Sequence, residues 1–218
     1  MKSLPKLVIA GAGGFGRELY AWARQSVQFE RDWVIKGLID DNLDAISGRR
    51  TAASLLGTIR DHEPSEDEVF LCGVGVPSIK RAIMEVLLQR GARLSTLIHR
   101  TAVLGDGVVL EEGAILCPYS IVSSNNRIGR CSVIGVHSSV DHDANVDDWS
   151  QINGHCDLTA AVAVGKEVFV GSSVTVLPNV TIGDGALIGA GSVVTRNIPA
   201  GATAYGVPAR VRTRIDSK

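Results

Sequence analysis

From Ile98 onward an Ile, Leu or Val recurs every sixth residue, at 98, 104, 110, 116, 122, 128, 134, 140, 146, 152, 158, 164, 170, 176, 182, 188 and 194. The register holds for 17 consecutive hexapeptides without an insertion. Four residues after each aliphatic position sits a mostly small or β-branched side chain, as at Ala114, Ser132, Ser138, Ala144, Val174, Ala186 and Ser192. Glycine often follows the aliphatic residue directly, as at Gly105, Gly129, Gly135, Gly165, Gly171, Gly183 and Gly189. Neither an α-helix, with period 3.6, nor an alternating strand produces a six-residue repeat. A parallel β-helix does: three hexapeptides form the three sides of one triangular coil, so residues 18 apart stack vertically. The aliphatic residue points into the prism, and glycines and polar residues take the corners. The run makes nearly six coils.

Residues 1 to 95 have a different rhythm. "KLVIAG" reads as a buried strand, "GRELYAWARQSV" as a helix, "WVIKGLID" and "EVFLCGVG" as further strands, and "SIKRAIMEVLLQRG" as an amphipathic helix closed by Gly91. Strands alternating with helices predict a parallel sheet with crossover helices. About three βα units fit, fewer than a full dinucleotide-binding domain requires. The expected fold is therefore α/β plus β, with a small Rossmann-like domain over 1–95 followed by a β-helix over 96–218.

Bulk properties narrow the function classes. The net charge is −1 with no long basic run, so nothing electrostatic points to nucleic acid or an anionic membrane as partner. No stretch approaches the roughly 20 apolar residues of a membrane span. The N-terminal apolar run leads straight into a glycine turn, with no signal-peptide pattern. The four cysteines, Cys72, Cys117, Cys131 and Cys156, are scattered without a CxxC pair, which fits free thiols in a cytoplasmic protein.

Two places carry chemistry. "GAGGFG" (Gly11, Gly13, Gly16) fits GxGxxG between a strand and a helix, as a phosphate-cradling turn does. Asp40 and Asp41 end the second strand, roughly where an acid would meet a ribose. NAD binding, a nucleotide-sugar site and a purely structural βα turn all suit this pattern. The second place is "SSVDHDANV", where His142 lies between Asp141 and Asp143 on a corner of the β-helix. An exposed polar corner is one reading. A metal ligand is another, since His137-x4-His142 resembles the spacing in γ-class carbonic anhydrases. The third histidine those proteins need has no match near residue 101 except His99. A general base held by a carboxylate is the third reading. His137 and His155 share a hexapeptide position and should stack on one edge. His62, in the polar loop "RDHEPSEDE", is expected in solvent.

Taken together, "GAGGFGRE", "LIDD", the hexapeptide run with "SSVDHDANV", and "VLPNVTIGDGALIGAGSVVTRNIPAGATAYGVPAR" resemble one bacterial family. It comprises sialic acid O-acetyltransferases and nucleotide-sugar N-acetyltransferases acting on 4-amino-4,6-dideoxy sugars. The resemblance covers about residues 5 to 211. It implies a left-handed β-helix, acetyl-CoA as acetyl donor, a nucleotide-linked amino sugar as acceptor, and a homotrimer with active sites between subunits. Carried over residue by residue, it makes His142 the general base and Asp143 its supporting carboxylate. Gly13, Gly14, Phe15, Asp40, Asp41 and Gly75 would hold the nucleotide sugar, and Gln151, Ser172 and Ala190 the acetyl-CoA. No metal is implied. Arg210, Arg212 and Arg214 would either meet CoA phosphates or form a solvated tail. O-acetylation by the same base and a non-catalytic sugar-binding trimer are the alternatives. The chain departs from the family at Gln151 and Phe15, where relatives often carry histidine, and at "INGHCDLTAA", which introduces His155.

Overall fold

The computed structural model describes residues 3–212, and the chain divides into two compact units, residues 1–100 and 101–218. In the first, β1 (Lys6–Ala10), α1 (Gly14–Ala23), β2 (Val34–Ile39), β3 (Glu68–Cys72) and α2 (Pro77–Gln89) follow in chain order. The strands form a parallel sheet in the order β2-β1-β3. Central β1 is apolar on both sides because both are covered; Leu7, Val8, Ile9 and Ala10 are fully buried. Helix α2 begins at Pro77, whose missing N–H costs nothing in a first turn. It ends at Gly91, with φ +87. There the N–H of Ala92 reaches back to Leu87 O and that of Gly91 to Leu88 O, the paired bonds that glycine in the left-handed region permits.

Two sequence expectations change here. The unit holds two βα units in place of about three, since the link from β2 to β3, residues 40–67, holds no helix. Asp40, Asp41 and Asn42 spend their side chains on backbone N–H groups, those of Ala12 and Asn42, of Arg60 and of Asp44 in turn, and these residue types favour turns over helix. His62 is not in solvent. Its side chain is only 13% exposed, with Nε2 3.0 Å from Glu68 Oε2. Glu68 is buried and also takes Lys36 Nζ at 2.6 Å and the Ser65 N–H at 3.1 Å. Burial alone would raise its pKa. Lys36, the Ser65 N–H and His62 outweigh that and hold it below the ordinary glutamate value.

The second unit is a left-handed parallel β-helix of two-residue strands on three faces. Pairing between successive coils is 18 residues apart on every face, as in Val133 with Gln151, Ser139 with Asp157 and Asn145 with Ala163. Val122, Ile128, Ile134, Val140, Val146 and Ile152 fill the prism and are fully buried. Each of these side chains stabilises the fold by about 1.5–3 kcal/mol. Every corner from Gly107 to Gly191 turns through a left-handed residue three positions after the aliphatic one. Asn, Asp and His tolerate that conformation better than most residues. Asn125, His137, Asp143, His155 and Asn179 occupy such corners.

Small residues at the next position seal the coils. Ser132 Oγ donates to Asp147 O and accepts the Ser150 N–H; Ser150 Oγ repeats the pattern with Gly165 O and the Val168 N–H. The glycines after the aliphatic positions answer to crowding: a Cβ at Gly135 would lie 2.5 Å from the Asn153 carbonyl carbon. A hairpin of Thr203–Gly206 and Ala209–Arg212 joins the last coil, pairing with 187–188.

Gly135→Ala should therefore destabilise the β-helix by about 1–3 kcal/mol, read as a lower melting temperature with secondary structure retained. Glu68 gives a pH signature. Its folded pKa is depressed, so its stabilisation is present above the unfolded glutamate value and is lost as pH falls through the folded one. Glu68→Gln should cost about 1–3 kcal/mol at neutral pH and flatten the acid limb of the stability–pH curve; a variant with the parental acid limb contradicts this assignment.

Candidate active site

The three corners of a coil carry different chemistry. On the edge following strands 121–122, 139–140 and 157–158, His142 Nδ1 lies 2.8 Å from Asp143 Oδ2. A carboxylate only accepts, so Nδ1 carries the hydrogen and Nε2 is left with its lone pair. Both side chains face outward, with 61% and 56% exposed. Asn125, one coil above, donates from Nδ2 to Asp143 Oδ1 at 3.3 Å. The hydrogen bond from His142, and then that from Asn125, hold the Asp143 carboxyl below its ordinary value, so it stays ionised to lower pH. Asp141 contributes its backbone N–H to Leu158 O.

Beneath the pair, the buried Asn126 clamps the corner. Its amide donates to Ser123 O and Val140 O and accepts the Ala144 N–H at 2.7 Å. The corner's backbone continues the coil ladder, with the Asp143 N–H on Ser124 O and the Ala161 N–H on His142 O. Asp143 has a backbone reason to be where it is, a left-handed corner at φ +61. His142, one residue earlier, has none, so its identity calls for a chemical explanation.

The next edge, following strands 133–134, 151–152 and 169–170, carries a ring stack. Tyr119 and His137 lie 4.9 Å apart at 8°, and His137 and His155 5.1 Å apart at 11°. Ser172 and Ala190 sit on this edge, exposed, while Gln151 on the adjoining face is buried. Within one chain the structure therefore does not bring these three residues to His142. They belong to different edges of the prism, separated by a side on the order of 15 Å long. Among the described residues no cluster of three or more His, Cys, Asp or Glu converges as a metal cage. All four cysteines are buried and unbridged. Burial raises the Cys156 thiol above its ordinary pKa, which disfavours the thiolate.

In the first unit, the glycine turn and the end of β2 are joined directly. Asp40 Oδ2 accepts the Ala12 N–H at 2.6 Å and Oδ1 accepts the Asn42 N–H at 2.8 Å. Asp41 Oδ1 accepts the Arg60 N–H at 3.0 Å. Gly11, Gly16 and Gly73 meet backbone to backbone: a Cβ on Gly16 would lie 2.0 Å from Gly11 O. Gly13 and Gly14 differ, because a Cβ on either would meet open space. Their bareness serves no contact inside the chain and leaves the helix N-terminus open to a ligand. Gly75, half-buried, follows two residues after Gly73. Phe15 turns back onto its own helix, edge-on to Trp22 at 6.2 Å. From Gly14 a cleft of about 760 Å³ opens along α1, with Arg17, Arg24 and Arg50 on its walls.

Asn125, Asn126 and the three arginines escaped the sequence reading. Asn125 was reachable, since it stands 18 residues before Asp143; the arginine cleft depends on the irregular 40–67 link. Arg212 lies over the Tyr205 ring at 5.5 Å, whereas Arg214 is outside the described residues.

Known proteins carry the same arrangement. Residues 6–87 match the family described as the PglD N-terminal domain, and residues 161–196 the bacterial transferase hexapeptide. A GDP-perosamine N-acetyltransferase of Escherichia coli O157:H7 is 29% identical over 139 residues, 62% of this chain and 61% of the relative's length. The acetyltransferase domain of PglB from Neisseria gonorrhoeae superposes with a TM-score of 0.84 at 26% identity, covering 95% of this chain and 99% of that one. A perosamine N-acetyltransferase of Caulobacter crescentus, solved with CoA and GDP-perosamine, superposes at 0.81 and 25% identity, covering 97% and 98%. No helix among the described residues is long and apolar enough to cross a membrane. The chain therefore joins a region matching the PglD N-terminal domain to a hexapeptide-repeat β-helix, and it is homologous to these N-acetyltransferases.

Proposed function

We propose that the chain transfers the acetyl group of acetyl-CoA to the amino group of a nucleotide-linked 4-amino-4,6-dideoxy sugar, with His142 as general base. The observation that carries this reading is the outward His142–Asp143 pair at 2.8 Å, backed by Asn125. The relatives solved with CoA and with GDP-perosamine support the donor and the acceptor class.

The chemistry follows from the tautomer. The neutral 4-amino nitrogen attacks the thioester carbonyl carbon while its proton passes to the bare Nε2 of His142. Asp143 accepts from Nδ1–H throughout and stabilises the imidazolium as it forms. The C–N bond forms, the carbonyl oxygen takes up negative charge, and backbone N–H groups at a corner stabilise it. The C–S bond then breaks, and the thiolate leaves with the proton that His142 returns. No acyl-enzyme is needed, in keeping with a buried Cys156 whose thiol is held protonated.

Donor contacts at Gln151, Ser172 and Ala190 lie on a different edge from the base, so the reading requires a second copy of the chain to bring the two together. A homotrimer of prisms repeats that contact three times by a closed rotation. The nucleotide rests on the open glycines Gly13 and Gly14, with Asp40, Asp41 and Gly75 beside it. Arg17, Arg24 and Arg50 supply the positive field that a diphosphate requires.

His142→Asn should lower kcat by about 10²–10⁴ with KM for acetyl-CoA, melting temperature and oligomeric state unchanged. In the parent, Asp143 should stay ionised to lower pH than an ordinary aspartate, so its hold on the His142 Nδ1–H persists on acidification. The assay is CoA release with UDP-, GDP- and dTDP-linked 4-amino sugars. Near-parental turnover by His142→Asn sinks the base assignment, and release that requires a hydroxyl acceptor in place of an amine sinks N-acetylation.

A further inference from the structure

The corner that carries His142 is closed differently from the others. Four residues after each aliphatic position stands the side chain that seals the coil, and at every such position but 126 it is Ala, Ser, Cys, Val or Ile. Asn126 is the amide in this column, and it is 1% exposed. An amide buried there costs stability unless its two hydrogens and its oxygen all find partners. A methyl group fills the same position, buried, at Ala114, Ala144 and Ala186. Sealing the coil therefore does not call for an amide.

Serine corners use one hydroxyl. Ser132 Oγ donates to Asp147 O, the carbonyl directly after aliphatic Val146, and accepts the Ser150 N–H at 3.0 Å. Ser138 repeats this with Asn153 O at 2.8 Å and the Cys156 N–H at 3.0 Å. Asn126 accepts the equivalent N–H, that of Ala144, at 2.7 Å, but its hydrogens go elsewhere. They reach Val140 O at 3.2 Å, one carbonyl earlier, and Ser123 O at 3.0 Å in its own coil. The amide oxygen also stands about 1 Å further from its Cβ than a serine hydroxyl does. Val140 O and the Ala144 N–H bracket the turn of Asp141, His142 and Asp143, so one buried group fixes both ends of that turn.

We propose that Asn126 is a positioning residue for proton transfer, setting through the backbone of 140–144 where the His142–Asp143 pair stands. The proposal rests on His142 as the base and adds to it the group that aims it. Both side chains of the pair are more than half exposed, so packing holds them little and their placement is inherited from the turn beneath. A fully satisfied buried amide rigidifies such a turn. Misplacing a catalytic group by about 1 Å can cost on the order of 10² in rate.

The neighbouring corners supply the controls, read by CoA release with the amino-sugar acceptors. Asn126→Ser keeps an acceptor for the Ala144 N–H, as at Ser132 and Ser138, but gives up Val140 O. It should melt near the parent's temperature and lower kcat by about 10–10², with KM for acetyl-CoA within about twofold. Ser132→Ala removes the equivalent hydroxyl from a corner that bears no proposed catalytic group. It should lower the melting temperature while kcat stays within about twofold of the parent. Because Asn126 acts through the base, adding Asn126→Ser to His142→Asn should slow the residual rate by no more than about twofold.

Parental kcat in Asn126→Ser beside an impaired His142→Asn overturns the proposal alone. An equal fall in Ser132→Ala does so too, since the effect then belongs to the stability of any corner, as does a full further loss in the double variant. Near-parental turnover by His142→Asn overturns the base reading itself and the proposal with it, which separates the two failures.

Discussion

The structure depends on the left-handed corner. Each hexapeptide turns through a residue in the left-handed region three positions after its aliphatic residue, at every corner from Gly107 to Gly191. A non-glycine residue there costs about 1–2 kcal/mol, which the buried aliphatic column and the coil-to-coil hydrogen bonds must offset. The return is registration. With coils 18 residues apart and no insertion, a side chain placed at one corner is held directly beneath its counterpart in the coil above. An edge of the prism is thus a one-dimensional array, and a function can be built on it by choosing residues at a fixed interval.

The three edges show how differently the same backbone can be used. One alternates charge at equivalent positions, Glu112, Arg130, Asp148, Lys166 and Asp184, with Arg130 on Glu112 at 3.3 Å. Exposed pairs of this kind contribute little each, and the edge neutralises itself. The second stacks Tyr119, His137 and His155. The third aligns Asn125 above Asp143, which holds His142, with Asn126 clamping the turn from inside. Of the three, the third is the edge that holds an imidazole against a carboxylate. The residues expected at the donor belong to the second. On the proposed function, proton abstraction and donor binding fall on different edges, and the chemistry needs them brought together.

Much of this was legible in the sequence because the period is rigid. The six-residue register placed Val140 and Ala144 inside and His142 outside, and the 18-residue interval predicted the His137–His155 stack that the structure contains. The same interval would have identified Asn125 as the partner of Asp143. Legibility ends where periodicity does. His62 lies in a stretch with no repeat, and its polar neighbours hid the fact that Glu68 is a buried carboxylate needing His62 and Lys36 as partners. Phe15, expected in the glycine turn as a ligand contact, also lies edge-on to Trp22 of its own helix, a contact the motif does not announce. Asn126 stood at a position for small residues, and its clamp emerges only from the carbonyls around it.

The central claim, that base and donor edge come from different copies of the chain, is tested most directly by complementation. A His142→Asn copy lacks the base, and a Ser172→Trp copy has its donor edge blocked. Each alone should be inactive in acetyl transfer. Mixed and reassembled in equal amounts, they should recover about a quarter of the parental rate, because half of the base edges and half of the donor edges are intact and pair at random around a closed ring. If mixed oligomers form and the rate stays at the level of the separate variants, the site is contained within one chain and the account is wrong.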